Sequence, residues 1–120
     1  MSYGRVEPRA RSGTTGISVE TDLDATEGAA GCWINPPDRV AAITCAVHKQ
    51  RGYDGEIKFK IECCCNRADT IGSDGTGGYW DLIDAEHPSY SDDKVVMLAN
   101  SVTGLRVTCL AGKINVCFVG

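Results

Sequence analysis

The chain reads as all-β, a small antiparallel sandwich or barrel built from hairpins. Three observations point to this class. Apolar and polar residues alternate over short segments bounded by glycine and Asp-Gly. No stretch of about 12 residues holds a helical period. Seven cysteines in 120 residues, three of them consecutive at Cys63-Cys64-Cys65, suggest a small domain held by cross-links.

Residues 1–31 differ in character from the rest of the chain. They are rich in Gly, Ser, Thr, Ala and charge, with Arg5, Arg9 and Arg11 near the start. They read as an extended or flexible N-terminal arm. Within it, Ile17-Ser18-Val19-Glu20-Thr21 alternates and carries β-branched residues, so it could add a strand to a neighbouring subunit's sheet. Residues 32–120 read as a single cysteine-rich β domain.

In that domain the first strand pair is Val40 to His48 and Glu56 to Cys65, joined by a polar loop with Gly52 and Asp54-Gly55. Such a loop supplies the positive-φ positions a hairpin needs. With Ile43 facing Ile61, alternation sets Ala41, Ile43, Cys45, Val47, Ile57, Phe59, Ile61 and Cys63 on an apolar face. Thr44, His48, Lys58, Lys60, Glu62 and Cys64 take the other. Residues 66–77 form a polar, glycine-rich loop. Gly78 to Ile83 and Lys94 to Leu98 read as strands around the acidic loop Asp84 to Asp93. A last hairpin runs from Val102 to Leu110, turns at Ala111-Gly112-Lys113, and returns along Ile114 to Val119. A faint internal echo relates Ala41-Ala42-Ile43-Thr44-Cys45 to Leu105-Arg106-Val107-Thr108-Cys109.

Composition narrows the function classes. A net charge of −4 argues against a general nucleic-acid binder, which needs a basic face to release counterions. No apolar run approaches the roughly 20 residues of a membrane span. The chain starts Met-Ser-Tyr-Gly-Arg, without the apolar stretch of a secretory signal. The expected location is extracellular or on the surface of an assembly.

The odd cysteine count implies at least one unpaired thiol or an intermolecular bridge. Adjacent cysteines rarely bridge each other, so Cys63, Cys64 and Cys65 point to different partners among Cys32, Cys45, Cys109 and Cys117. The expected count is three bridges and one free thiol, each closed loop adding about 2–4 kcal/mol. A zinc site is disfavoured, because successive strand residues point to opposite faces and no Cys-x-x-Cys pair exists. The acidic residues Asp81, Asp84, Glu86, Asp92 and Asp93 are weak calcium candidates without an EF-hand spacing. No cofactor is implied.

Nucleophilic catalysis would need a cysteine or serine beside a base. The two histidines do not supply one by sequence, His48 falling opposite Cys45 and His87 preceding Pro88 in a loop. The chain is therefore expected to be non-enzymatic. Trp33, Tyr53, Tyr79, Trp80 and Tyr90 are aromatic candidates for a sugar platform, with Trp80 beside Asp81 and Trp33 near Asn35 as the most suitable sets. The alternative use of both tryptophans is to plug the ends of the β core.

Cys32, Pro36, the strand Val40 to Val47, Asp54, Phe59 and Cys63-Cys64 together resemble the repeat unit of dermatopontin-type and vitelline-membrane outer-layer proteins. The resemblance covers about a third of the chain and lacks the tryptophan of those families near the closing cysteine, where Phe59 stands instead. It implies an extracellular, disulfide-linked, non-enzymatic protein that binds matrix or carbohydrate. Two functions are thus expected: a disulfide-stabilised module recognising a glycan or matrix surface, or a self-assembling subunit, such as a virion decoration or filament protein, that uses the N-terminal arm between copies of itself.

Overall fold

The structure, a computed structural model, describes residues 2–9, 16–37, 40–98 and 102–120. It is all-β. Among the described residues nine strands run in chain order: β1 (Gly4–Arg5), β2 (Ser18–Asp24), β3 (Ala30–Ile34), β4 (Ile43–Lys49), β5 (Lys58–Cys64), β6 (Trp80–Leu82), β7 (Lys94–Leu98), β8 (Gly104–Ala111) and β9 (Lys113–Val119). They form a five-stranded sheet, in the order β1-β3-β8-β5-β6, and a four-stranded sheet, β2-β9-β4-β7. Every pairing among these strands is antiparallel except β1 with β3.

Period-two alternation fixes which side chains enter the shared core. Cys32, Ile34, Phe59, Ile61, Leu105, Val107 and Cys109 come from the five-stranded sheet, and Leu23, Ile43, Cys45, Val47, Ile114, Val116 and Phe118 from the other. All are buried, and they account for most of the apolar driving force. The apolar face expected for β4 and β5 is present, except that Ala41 lies exposed before β4 and Cys63 is only partly buried at the rim.

The hairpins are not. β4 pairs with β7 and β9, whereas β5 pairs with β6 and β8, so Ile43 faces Leu98 and Ile61 faces Val107. The expected hairpin β8–β9 is likewise split between sheets. The physical reason is that two apolar strand faces can be buried side by side in one sheet or face to face across a core, and alternation is the same in both. At Gly112 the chain swaps sheets in one step with φ +80°. A Cβ there would overlap the carbonyl oxygen of Glu56, so the tight crossing needs glycine twice over.

Of the arm expected over 1–31, the described residues are built into the same sandwich. β2 pairs along its whole length with β9, and β1 extends the five-stranded sheet beside β3. Arg11 lies outside the described residues. β3 itself was not expected. Cys32, Trp33 and Ile34 are all buried, because both faces of this strand are covered, and a strand covered on both faces shows no alternation.

Candidate functional site

The outer face of the five-stranded sheet carries a second, smaller core. Tyr3, Trp33, Cys64 and Ile71 are buried there, with Trp80 packed at the edge. The glycine-rich loop between β5 and β6 lies over them. The Trp33 indole N–H donates to the Ser73 carbonyl at 3.1 Å and that of Trp80 to the Gly77 carbonyl at 2.8 Å, so both rings pin the loop. The Tyr3 backbone N–H donates to the Asp74 carbonyl at 2.7 Å. A Cβ at Gly31 would overlap the Tyr3 ring, which is why β3 carries a glycine where the N-terminal segment crosses it.

Arg106, projecting outward from β8, organises this face. Its guanidinium lies between two aromatic rings, 4.5 Å from the Tyr3 centroid and 4.3 Å from that of Trp80. Its Nε donates to Glu62 Oε1 at 3.0 Å, and one terminal nitrogen to the Gly75 carbonyl at 2.8 Å. Lys60 approaches the same carboxylate at 3.6 Å. A charged group between two π faces, bonded to a mostly buried carboxylate, is a fixed structural element.

The residues expected to bind sugar are therefore divided. Trp33 is 3% exposed and offers no platform. The Asn35 side-chain amide donates to the Thr103 carbonyl at 2.6 Å. Trp80 has one face against Arg106. Tyr79, 81% exposed, and Asp81, also exposed, remain open to solvent. Tyr53 and Tyr90 pack partly against the main core.

The acidic loop does not gather into a cation site. Asp84 accepts from the Glu86 backbone N–H at 3.0 Å and meets His87 Nδ1 at 2.8 Å. The hydrogen bonds from His87 and Glu86 hold its carboxyl below the ordinary range. Asp93 accepts from the Lys49 backbone N–H at 2.9 Å, tying this loop to β4. Among the described residues no group of three or more histidine, cysteine or acidic side chains is placed to hold a metal ion.

All seven cysteines are free thiols in the structure, in place of the expected three bridges. The strand does send its three consecutive cysteines apart: Cys63 to the core rim, Cys64 into the small outer core, Cys65 to solvent. Burial pushes the Cys32 thiol up to about 12 and raises Cys45, Cys63, Cys109 and Cys117 as well. A thiol held protonated at neutral pH is a poor nucleophile. His48 is exposed on β4, next to the Lys49 backbone that holds Asp93, while Cys45 points into the core.

The feature that sequence reading passed over is the edge position of β7. This strand ends its sheet, so among the described residues one side of its backbone has no strand partner. Its outward side chains, Val95 and Met97, are 59% and 72% exposed. Cross-strand register extends each into a row: Val95, Ala46, Cys117, then Glu20; and Met97, Thr44, Val119, then Ser18. The rows are uncharged until they reach β2. Lys94 adds no charge to this face, since it projects to the opposite side with its ammonium 5.4 Å from the Tyr90 ring centroid. The other sheet ends are better guarded. β1 has two residues, β6 has three, and β2 turns Glu20, Asp22 and Asp24 outward. Short or charged edges resist strand addition; a longer apolar one invites it.

In comparison with known proteins, the chain matches no protein-family model and no curated sequence, so the dermatopontin resemblance gains no support from relatives.

Proposed function

We propose that this protein is a non-catalytic structural subunit that associates with other proteins of an assembly through the β7 end of its four-stranded sheet. The observation that carries this reading is the combination, on one strand, of a backbone edge without a strand partner among the described residues and the exposed apolar side chains Val95 and Met97. The intersubunit role first expected of the N-terminal arm moves to β7, because residues 2–9 and 16–31 are engaged within their own chain. The subunit would sit on the surface of its assembly or outside the cell. Light scattering coupled to size exclusion over a range of concentrations tests it. The wild-type chain is expected to associate and Met97→Lys to shift it toward monomer. A wild-type chain that stays monomeric at the highest concentration reached would overturn the reading.

A second reading, glycan or matrix binding, draws support from Tyr79 and Asp81, the members of the expected sugar set that remain open. It has less surface to work with, since Trp33 and Asn35 are occupied and Trp80 presents one free face at most.

A further inference from the structure

Resting on the assembly reading, we infer that the partner at β7 is a second copy of this chain, paired antiparallel along β7 about a two-fold axis through Val96. A two-fold pairing is self-complementary, so one patch serves as both donor and acceptor surface. Opposed residues in an antiparallel pair share a face, so a register that keeps the outer faces continuous must be centred on a residue. Centring on Val96 sets Lys94 opposite Leu98 of the second copy, and Val95 opposite its Met97. That register pairs every residue of Lys94–Leu98 and joins the apolar rows of both copies into one stripe. It also places the two Lys94 side chains at opposite ends of the paired strands, away from each other.

The neighbouring registers do worse. Centring on Val95 brings Asp93 opposite Met97, although Asp93 is already bonded to Lys49. It also leaves Leu98 facing Asp92. Centring on Met97 confines the pairing between the two β7 strands to Val96–Leu98. Within Lys94–Leu98 the Val96 register is the one that pairs all five residues, and no like charges meet in it.

The result is one β-sheet running continuously through two copies, with the partly buried Val96 and Leu98 extending each core toward the other. This is strand addition using backbone hydrogen bonds for affinity and alternate side chains for register.

Paired charges at the two opposed positions test it. Val95→Lys and Met97→Glu, made singly, each put an unpaired charge against an apolar residue and are expected to weaken dimerisation at least about tenfold. The double variant V95K/M97E places each new lysine opposite a new glutamate of the second copy, and dimerisation is expected to recover. The reversed pair V95E/M97K is expected to recover equally, which excludes an effect tied to one particular side chain; the two singles shift the net charge in opposite directions, so weakening by both excludes an effect of net charge. Sedimentation equilibrium reads the dissociation constants, and circular dichroism confirms that each variant is folded. Singles that dissociate without recovery in either double would overturn the register while leaving β7 as the interface. Singles that leave association unchanged would overturn β7 as the interface and the assembly reading carried by it.

Discussion

The two outer faces of this sandwich solve the same problem in opposite ways. On the five-stranded sheet, Arg106 lies between the Tyr3 and Trp80 rings, Glu62 neutralises it, and a loop pinned by two indole N–H groups closes over them. On the four-stranded sheet, Val95 and Met97 stand in solvent beside Ala46 and Thr44, with nothing from the described chain over them. One face carries tryptophans and charges and hides them. The other carries small and flexible apolar groups and shows them. Both tryptophans are therefore taken up by the chain's own closure and leave little aromatic surface open.

The contrast can be broken most forcefully at Arg106. Arg106→Leu removes both cation–π contacts and leaves Glu62, a mostly buried carboxylate, with only Lys60 at 3.6 Å. The expected loss is about 2–4 kcal/mol of unfolding free energy, chiefly the cost of an under-compensated buried charge. Chemical denaturation measures it. Adding Glu62→Gln should restore part of the loss, since the neutral amide no longer needs the guanidinium. A loss below about 0.5 kcal/mol, the usual range for surface substitutions, would show that the covered face is merely a solvated one.

A smaller intervention removes only the N-terminal part of the cover. Tyr3→Ala deletes the ring that rests on Gly31 and the hydroxyl that accepts from Thr108 Oγ1 at 3.1 Å. The expected cost is about 1–3 kcal/mol, less than full aromatic burial because β1 pairs over two residues. Thiol labelling gives a sharper readout, since each outer face holds a cysteine: Cys64 is fully buried beneath the cover and Cys117 is partly exposed on the bare sheet. In the native wild type, Cys117 should be alkylated before Cys64. In Tyr3→Ala the Cys64 rate should rise while that of Cys117 stays put. Equal changes at both sites would mean global loosening instead of local uncovering.

Much of the fold was legible because alternation reports burial directly. β4, β5, β8 and β9 could be placed within a few residues from runs such as Leu105-Arg106-Val107-Thr108-Cys109, and β7 to the residue. Three things were not legible, each for a physical reason. β3 is covered on both faces, so it gave no period. Partner choice leaves no mark on alternation, so Gly112 read as a hairpin turn although it hands the chain to the opposite sheet. The small outer core was hidden by its own chemistry: Lys60, Glu62 and Arg106 look like a solvated stripe, and their burial comes from the loop that folds over them. The clue available was the coincidence of glycine-rich sequence at 72–78 with Trp33 and Trp80, since aromatic rings lying flat under a loop need residues without side chains above them. The edge position of β7 is part of the same silence about partner choice, because Lys-Val-Val-Met-Leu reads the same at the edge of a sheet as in its middle.

The smallest expected effect is the one that best isolates the bare face. Met97→Lys replaces a 72% exposed side chain whose neighbour across the strand is Thr44, so the isolated chain loses little packing. Its unfolding free energy, measured at concentrations where wild type and variant are both monomeric, should stay within about 0.5 kcal/mol of wild type. At concentrations where the wild type associates, a gap should open, because association stabilises only the chain that can associate. A concentration-dependent difference assigns Met97 to the contact between copies. A constant difference of more than about 1 kcal/mol would instead assign it to the fold, and the distinction between a covered face that stabilises and a bare face that recruits would fail at the residue on which it most depends.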